Sequence, residues 1–114
     1  LKGFKKYCKK EKTLFEVVEK VQQKPLKKGE LYILLDDKSL LQVIKKMKNQ
    51  NLILAKDIGV ISYNDTLLKE IVEGGITTIT TDFNEMGEKL AKMVLNKEEY
   101  KIENPNKLII RNSI

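Results

Sequence analysis

At 114 residues the chain makes one small domain or a piece of one, and its 41% hydrophobic and 33% charged residues, with two prolines, exclude a disordered or low-complexity protein. No apolar run approaches the ~20 residues that span a bilayer, and the opening residues are too lysine-rich for a signal peptide, so the expectation is a cytoplasmic protein without a membrane partner. The net charge of +6 does not argue for nucleic acid, because Lys2, Lys5, Lys6, Lys9, Lys10 and Lys12 against Glu11 place +5 of it in the first twelve residues.

Leu1, Phe4 and Cys8 form the apolar stripe of a first helix. With one cysteine and no histidine, neither an internal disulfide nor a Cys/His zinc cluster is expected, and Cys8 reads as an ordinary helix residue. Thr13–Val18 and Leu31–Leu35 read as strands, separated by a turn-like stretch around Pro25. Asp36 and Asp37 then offer caps to a helix in which Leu40, Val43, Ile44 and Met47 fall at i, i+3, i+4 and i+7. Ile58–Tyr63 is a β-branched run of the kind found inside parallel sheets.

Asn64 and Asp65 can cap a second, short helix with Leu67, Leu68, Ile71 and Val72 as its apolar residues, and Gly74-Gly75 suits a left-handed exit from it. Ile76–Thr81 is β-prone, and Asp82 with Glu85 makes a capping-box pattern for a third helix whose stripe includes Phe83, Met86, Leu90, Met93 and Val94. Gly87 within that helix suggests close approach of another backbone. Polar residues then lead through Pro105 to a last strand, Leu108–Arg111. Strands alternate with helices from residue 31 onward, which predicts an α/β fold: a mostly parallel sheet flanked by helices, with right-handed crossovers.

In such sheets ligands bind beyond the carboxyl ends of the strands. Two predicted strand ends carry polar groups, Asp36-Asp37 and Tyr63-Asn64-Asp65; the carboxylates and amide can bond a hydroxyl-rich molecule while Tyr63 offers an apolar wall. Helix capping alone would also account for acids and amides at these junctions. With no histidine, no glycine-rich phosphate loop and no metal cage, no catalytic constellation, metal or cofactor is expected.

Asp57–Thr66, reading Asp-Ile-Gly-Val-Ile-Ser-Tyr-Asn-Asp-Thr, resembles the D-I-S-V-V-G-Y-D-D-T segment of lac/galactose-repressor sensor domains. Leu34–Leu40 resembles that family's A-A-N-D-x-x-A, Ile76–Gly87 its L-T-T-V-x-x-D-x-x-x-M-G, and Leu108–Ser113 its L-I-V-R-x-S; Lys2-Gly3-Phe4 resembles the end of R-x-x-G-F. The resemblance implies one lobe, the C-terminal one, of a type I periplasmic-binding-protein-like fold over residues 1–114, with 82–97 resembling a segment that belongs to the N-terminal lobe. It implies the effector-sensing and dimerisation part of a bacterial transcription regulator, not an enzyme, with a small-molecule effector of the carbohydrate class held at Asp36, Tyr63, Asn64 and Asp65. DNA would be bound only through a separate N-terminal domain. The lysine-rich style and the Ser-Tyr-Asn-Asp variant resemble regulators of the Bacteroides group, which implies a gluconate-repressor-type winged helix for that head. Dimerisation would use surface near Leu41, Lys45, Leu67 and Leu68, where apolar residues exceed one buried stripe.

Two departures from the family pattern stand out. Asp36 and Asn64 occupy positions where the family has Asn and Asp, which preserves one acceptor and one amide for hydroxyl groups. Ser62 replaces a glycine and is expected to add bulk beside the cleft. A phosphorelay receiver built on Asp36/Asp37 is the alternative, but only 77 residues follow Asp37 and no Lys-Pro pair follows a later strand. A hydrolase or transferase using Asp36, Asp37 or Asp65 would need a metal or base that the sequence does not display.

Overall fold

The computed structural model describes residues 1–97 and 106–114. Its sheet has four strands in the order β1 (Leu31–Leu34), β2 (Gly59–Tyr63), β3 (Thr77–Thr81) and β4 (Asn106–Ile109). β1, β2 and β3 run parallel, as expected, while β4 is antiparallel to β3, pairing Thr78 with Ile109 and Thr81 with Asn106. The expected last strand thus begins two residues earlier and ends before Ile110. Pro105 lies outside the described residues.

Helix α1 spans Lys2–Lys10 and buries Cys8. Helix α2 (Asp37–Asn49) follows β1, and its predicted stripe Leu40, Val43, Ile44 and Met47 is buried in full. That stripe packs with Leu34, Ile58, Val60, Ile76 and Leu26 into the core, and Tyr32, Leu52, Leu54 and Val72 close its margins. Burying four such side chains contributes roughly 1.5–3 kcal/mol each, which is what holds the crossover to the sheet. Gln50 completes the attachment: its amide accepts from Leu26 N–H and donates to Leu26 C=O, both at 3.0 Å, standing in for a strand partner.

Thr13–Val18 is not a strand. The segment is exposed throughout, Leu14 at 98%, and no strand is paired with it among the described residues. A β-prone composition expresses fit to a neighbouring pleated surface, and here the segment meets only side chains: Phe4, whose ring meets Phe15 edge-on at 5.5 Å, and Lys24, which pairs with Glu16, among the described residues.

Helix α3 (Leu67–Ile71) is capped by Thr66, whose Oγ1 accepts from Lys69 N–H at 3.4 Å, rather than by Asn64 or Asp65. It also faces opposite to its expected stripe: Leu67, Leu68 and Ile71 are 79%, 72% and 76% exposed, while Lys69 is buried. The exit through Gly74 (φ 78°) and Gly75 (φ 109°) is left-handed as expected, and a Cβ on Gly75 would come within 3.2 Å of Arg111 Cβ.

Helix α4 (Phe83–Asn96) begins as predicted, with Asp82 accepting from Glu85 N–H at 3.1 Å. It buries no residue, and Phe83, Leu90 and Val94 stay more than half exposed, so its apolar stripe finds no cover on this sheet. The expected close approach at Gly87 is absent among the described residues: a Cβ there would meet nothing within 4 Å. The radius of gyration, 17.1 Å, against about 13 Å for a compact domain of this length, reflects the same lack of cover.

Candidate functional site

The register of β1 and β2 builds the site. Leu34 pairs with Ser62, so Asp36 and Asn64 each stand two residues beyond the last pair, at the same edge of adjacent strands about 4.8 Å apart. Tyr63, 39% exposed, ends β2 beside them. Asn64 takes a left-handed conformation (φ 64°), tolerable for asparagine, and its N–H donates to Ile79 C=O of β3 at 2.8 Å. The turn is therefore held by its backbone while the Asn64 side chain lies at the exposed edge.

Asp36 accepts from Ser39 N–H and Ser39 Oγ, both at 2.8 Å. These bonds hold its carboxyl below the usual carboxylate range, the backbone N–H being the larger cause. The residue is thus an ionised helix cap at this edge, and capping leaves acceptor capacity free because a carboxylate has about four acceptor sites.

Asp65 differs. Its carboxylate is turned back over the sheet, where Arg111 grips it with two bonds, Nη1 to Oδ1 at 2.7 Å and Nη2 to Oδ2 at 2.9 Å, and Thr78 Oγ1 donates to Oδ1 at 3.1 Å. Arg111 holds the Asp65 carboxyl well below its ordinary range, and Thr78 adds to the effect against a desolvation penalty. Both side chains are mostly buried, at 15% and 19% exposure, and Arg111 also donates to Ile76 C=O at 2.9 Å. Three of the four residues expected at the site, Asp36, Tyr63 and Asn64, thus share one edge, while the acceptor capacity of Asp65 is largely engaged below it.

Lys69 and Arg111 were not anticipated at the site. Lys69 Nζ donates to Tyr63 C=O at 3.0 Å and to Asn64 C=O at 2.6 Å, and it forms an ion pair with Asp37 Oδ1 at 2.9 Å. The surplus of apolar residues in Leu67–Val72 was the available signal, since a five-residue helix cannot bury them all and also explain its lysine. Arg111 lay within a recognised motif, but its partner is 46 residues away.

Ser62 is fully buried on the inward face of β2, so its bulk enters the core and not the cleft. Its hydroxyl has no hydrogen-bond partner among the described residues. A buried unsatisfied hydroxyl costs about 1–3 kcal/mol, so Ser62→Ala is expected to stabilise the fold by roughly 1 kcal/mol in urea denaturation. A loss of stability in the variant would show that the hydroxyl is satisfied.

Ser113, in the last of the motifs, holds the sheet together. Ser113, fully buried, accepts from Thr77 N–H at 2.7 Å and donates to Val60 C=O at 2.5 Å, while its own C=O accepts from Val60 N–H at 2.7 Å. It stitches β2 to β3 near the start of both. A shallow depression of about 270 Å³ at the amino ends, lined by Glu30, Leu31, Asp57, Gly59 and Ile114 among others, lies at the opposite end of the sheet from the polar edge. Among the described residues no helix is long and apolar enough to cross a membrane.

A mostly parallel α/β sheet with Asp36 and Asn64 just beyond adjacent strand ends and Tyr63 closing one of them is of the class whose ligands bind at that edge. The chain belongs to the periplasmic binding protein-like domain family, whose model matches residues 2–114. Among solved structures it is similar to a protein described as a transcription regulator from Staphylococcus saprophyticus, at 26% identity and a TM-score of 0.60 over 74% of this chain and 32% of that one. A protein described as the transcriptional regulator LacI from Bacillus cereus gives 26% identity and a TM-score of 0.57, over 74% and 32% of the two chains. A LacI family regulator from Enterococcus faecium, solved with bound ribose, shares the fold at 21% identity and a TM-score of 0.60, over 73% and 33%. The chain thus spans about a third of the length of the solved proteins it matches. No curated protein matches it significantly. The lac-repressor-like motifs read in the sequence reflect this kinship, and the neighbours are transcription regulators, which sets aside the phosphorelay-receiver alternative.

Proposed function

We propose that residues 1–114 are the C-terminal, effector-binding and dimerising lobe of a cytoplasmic transcription regulator that senses a sugar or related polyol. The observation that carries this reading is the placement of Asp36, Tyr63 and Asn64 at one edge of adjacent parallel strands. A carboxylate accepts from sugar hydroxyls, an amide does both, and a tyrosine ring covers an apolar sugar face. Asp65 supports the edge from below through Arg111, and the lobe performs no catalysis. The ribose held by the Enterococcus faecium relative agrees with a carbohydrate effector. DNA would be bound by a separate head of winged-helix type preceding the sensor.

In this reading α4 is part of the opposing lobe, which would cover the stripe that this sheet leaves bare. The test is calorimetric titration of the complete regulator with a panel of monosaccharides. A sugar bound at micromolar affinity, weakened at least tenfold by Asp36→Ala and by Asn64→Ala, is the expected result; binding unaffected by both variants would place the effector elsewhere.

The exposed side chains Leu41, Leu67 and Leu68, with Lys45 beside them, form the proposed dimer surface. Leu41→Glu combined with Leu67→Glu should convert a sedimenting dimer into a monomer with an unchanged circular dichroism spectrum, since neither side chain is in the core. A monomeric parent at high concentration would remove the proposal.

A further inference from the structure

A buried lysine that is not catalytic needs a reason, because an ammonium group is costly to desolvate and an apolar side chain would fill the same space. Lys69 is 3% exposed on a helix whose leucines and isoleucine point outward. Its ammonium group meets three oxygens, which belong to two different turns. Two bonds reach Tyr63 C=O and Asn64 C=O, the carbonyls at which β2 leaves the sheet. The third reaches Asp37, the first residue of α2 and the neighbour of Asp36.

We propose that Lys69 is the positioning residue of the effector edge, a buried strut that ties the turn after β2 to the start of α2 and so sets the separation of Asp36 and Asn64. This deepens the proposed sugar-sensing reading and rests on it for the meaning of the edge. Past Leu34 and Ser62 the β1–β2 ladder has ended, so no sheet hydrogen bond keeps the two turns in step. Asn64 N–H is tied to β3 and Asp36 to its own helix; Lys69 joins one turn to the other. An apolar residue at 69 would leave two carbonyls without their donor and the two turns uncoupled. This explains why a lysine occupies the buried side of α3 while apolar residues lie outside.

Hydrogen–deuterium exchange of the 114-residue chain tests the strut without any ligand. Lys69→Met keeps the length of the side chain and removes the donors. It should speed exchange at least tenfold at the bonded amides of both turns, Ser39 and Leu40 after β1 and Asn64 after β2, while the amides of Val60 and Thr77, held by Ser113, keep their protection. Should Lys69→Met fail to fold, Asp37→Ala decides, because Asp37 is 75% exposed and its loss cannot empty the core. Loss of an acid at a helix end would fray only α2, whereas loss of the strut should also speed exchange severalfold across the gap, at Asn64. Unchanged exchange in the opposite turn with Asp37→Ala overturns the inference. Faster exchange in both turns, with no monosaccharide bound by the complete unmutated regulator, upholds the strut and rejects the sugar reading. A sugar bound by that regulator and weakened at least tenfold by Lys69→Met supports both.

Discussion

Replacing Arg111 with methionine should destabilise the chain by about 2–3 kcal/mol in urea denaturation, among the largest single losses expected outside the apolar core. The guanidinium makes a bidentate pair with Asp65 and a bond to Ile76 C=O, all largely shielded from water. Removing the cation strands a partly buried carboxylate, and that penalty exceeds the net worth of the bonds themselves. Asp65→Asn should cost less, because the amide can still accept from Arg111, and the double variant should lose at least about 1 kcal/mol less than the sum of the two. The pH dependence follows from the same pair. Arg111 lowers the folded-state pKa of Asp65 below its unfolded value, so this stabilisation is complete above the unfolded carboxyl pKa, about 3.9, and disappears as pH falls through the lower folded value. The unmutated chain should therefore lose stability below about pH 4 more steeply than Arg111→Met. A loss under 1 kcal/mol on removing Arg111 would mean that the pair is solvated and dispensable.

The 114-residue chain by itself should bind no monosaccharide more tightly than about 1 mM, near −4 kcal/mol. Asp36, Tyr63 and Asn64 form an open edge, while small-molecule sites commonly bury ~70–90% of their ligand. On such an edge each hydrogen bond competes with water and contributes about 1 kcal/mol net. Three or four of them do not offset the roughly 4 kcal/mol or more lost in immobilising the sugar. The solved relatives are about three times as long as the part matched here. Isothermal titration of the chain with a monosaccharide panel checks this, and a micromolar complex would show that one edge suffices.

What the sequence disclosed depended on whether a feature was local. The α2 stripe and the Asp82 cap were legible because periodicity and capping act within a few residues, and both recur in the structure. The alignment of Asp36 with Asn64 was also legible, since parallel strands put their carboxyl ends together. The facing of α3 was not. Its leucines obey helical spacing, yet it is Lys69 that lies buried, bonded to the Tyr63 and Asn64 carbonyls and paired with Asp37, 32 residues distant in the chain and invisible to any periodicity. Asp36 and Asp65 look alike in sequence, each an acid after a strand, and only Arg111 separates a carboxylate at the edge from one drawn underneath it. Residues 13–18 show the converse failure: suitable composition does not make a strand where, among the described residues, no partner is paired with it.

The Ser113 stitch has a consequence for the order in which the molecule assembles. Its bonds close loops of 36 and 53 residues, whereas the α2 stripe closes turns of three or four. Loop closure of that span is entropically expensive and pays back only when its last residue arrives. β1, α2 and β2 can collapse as soon as they are synthesised, but the seam between the first residues of β2 and β3 stays open until residues 111–113 have left the ribosome. Until then Val60 and Thr77 offer unpaired backbone groups to any passing strand, so a nascent chain stalled before Arg111 is the form most exposed to edge-to-edge aggregation.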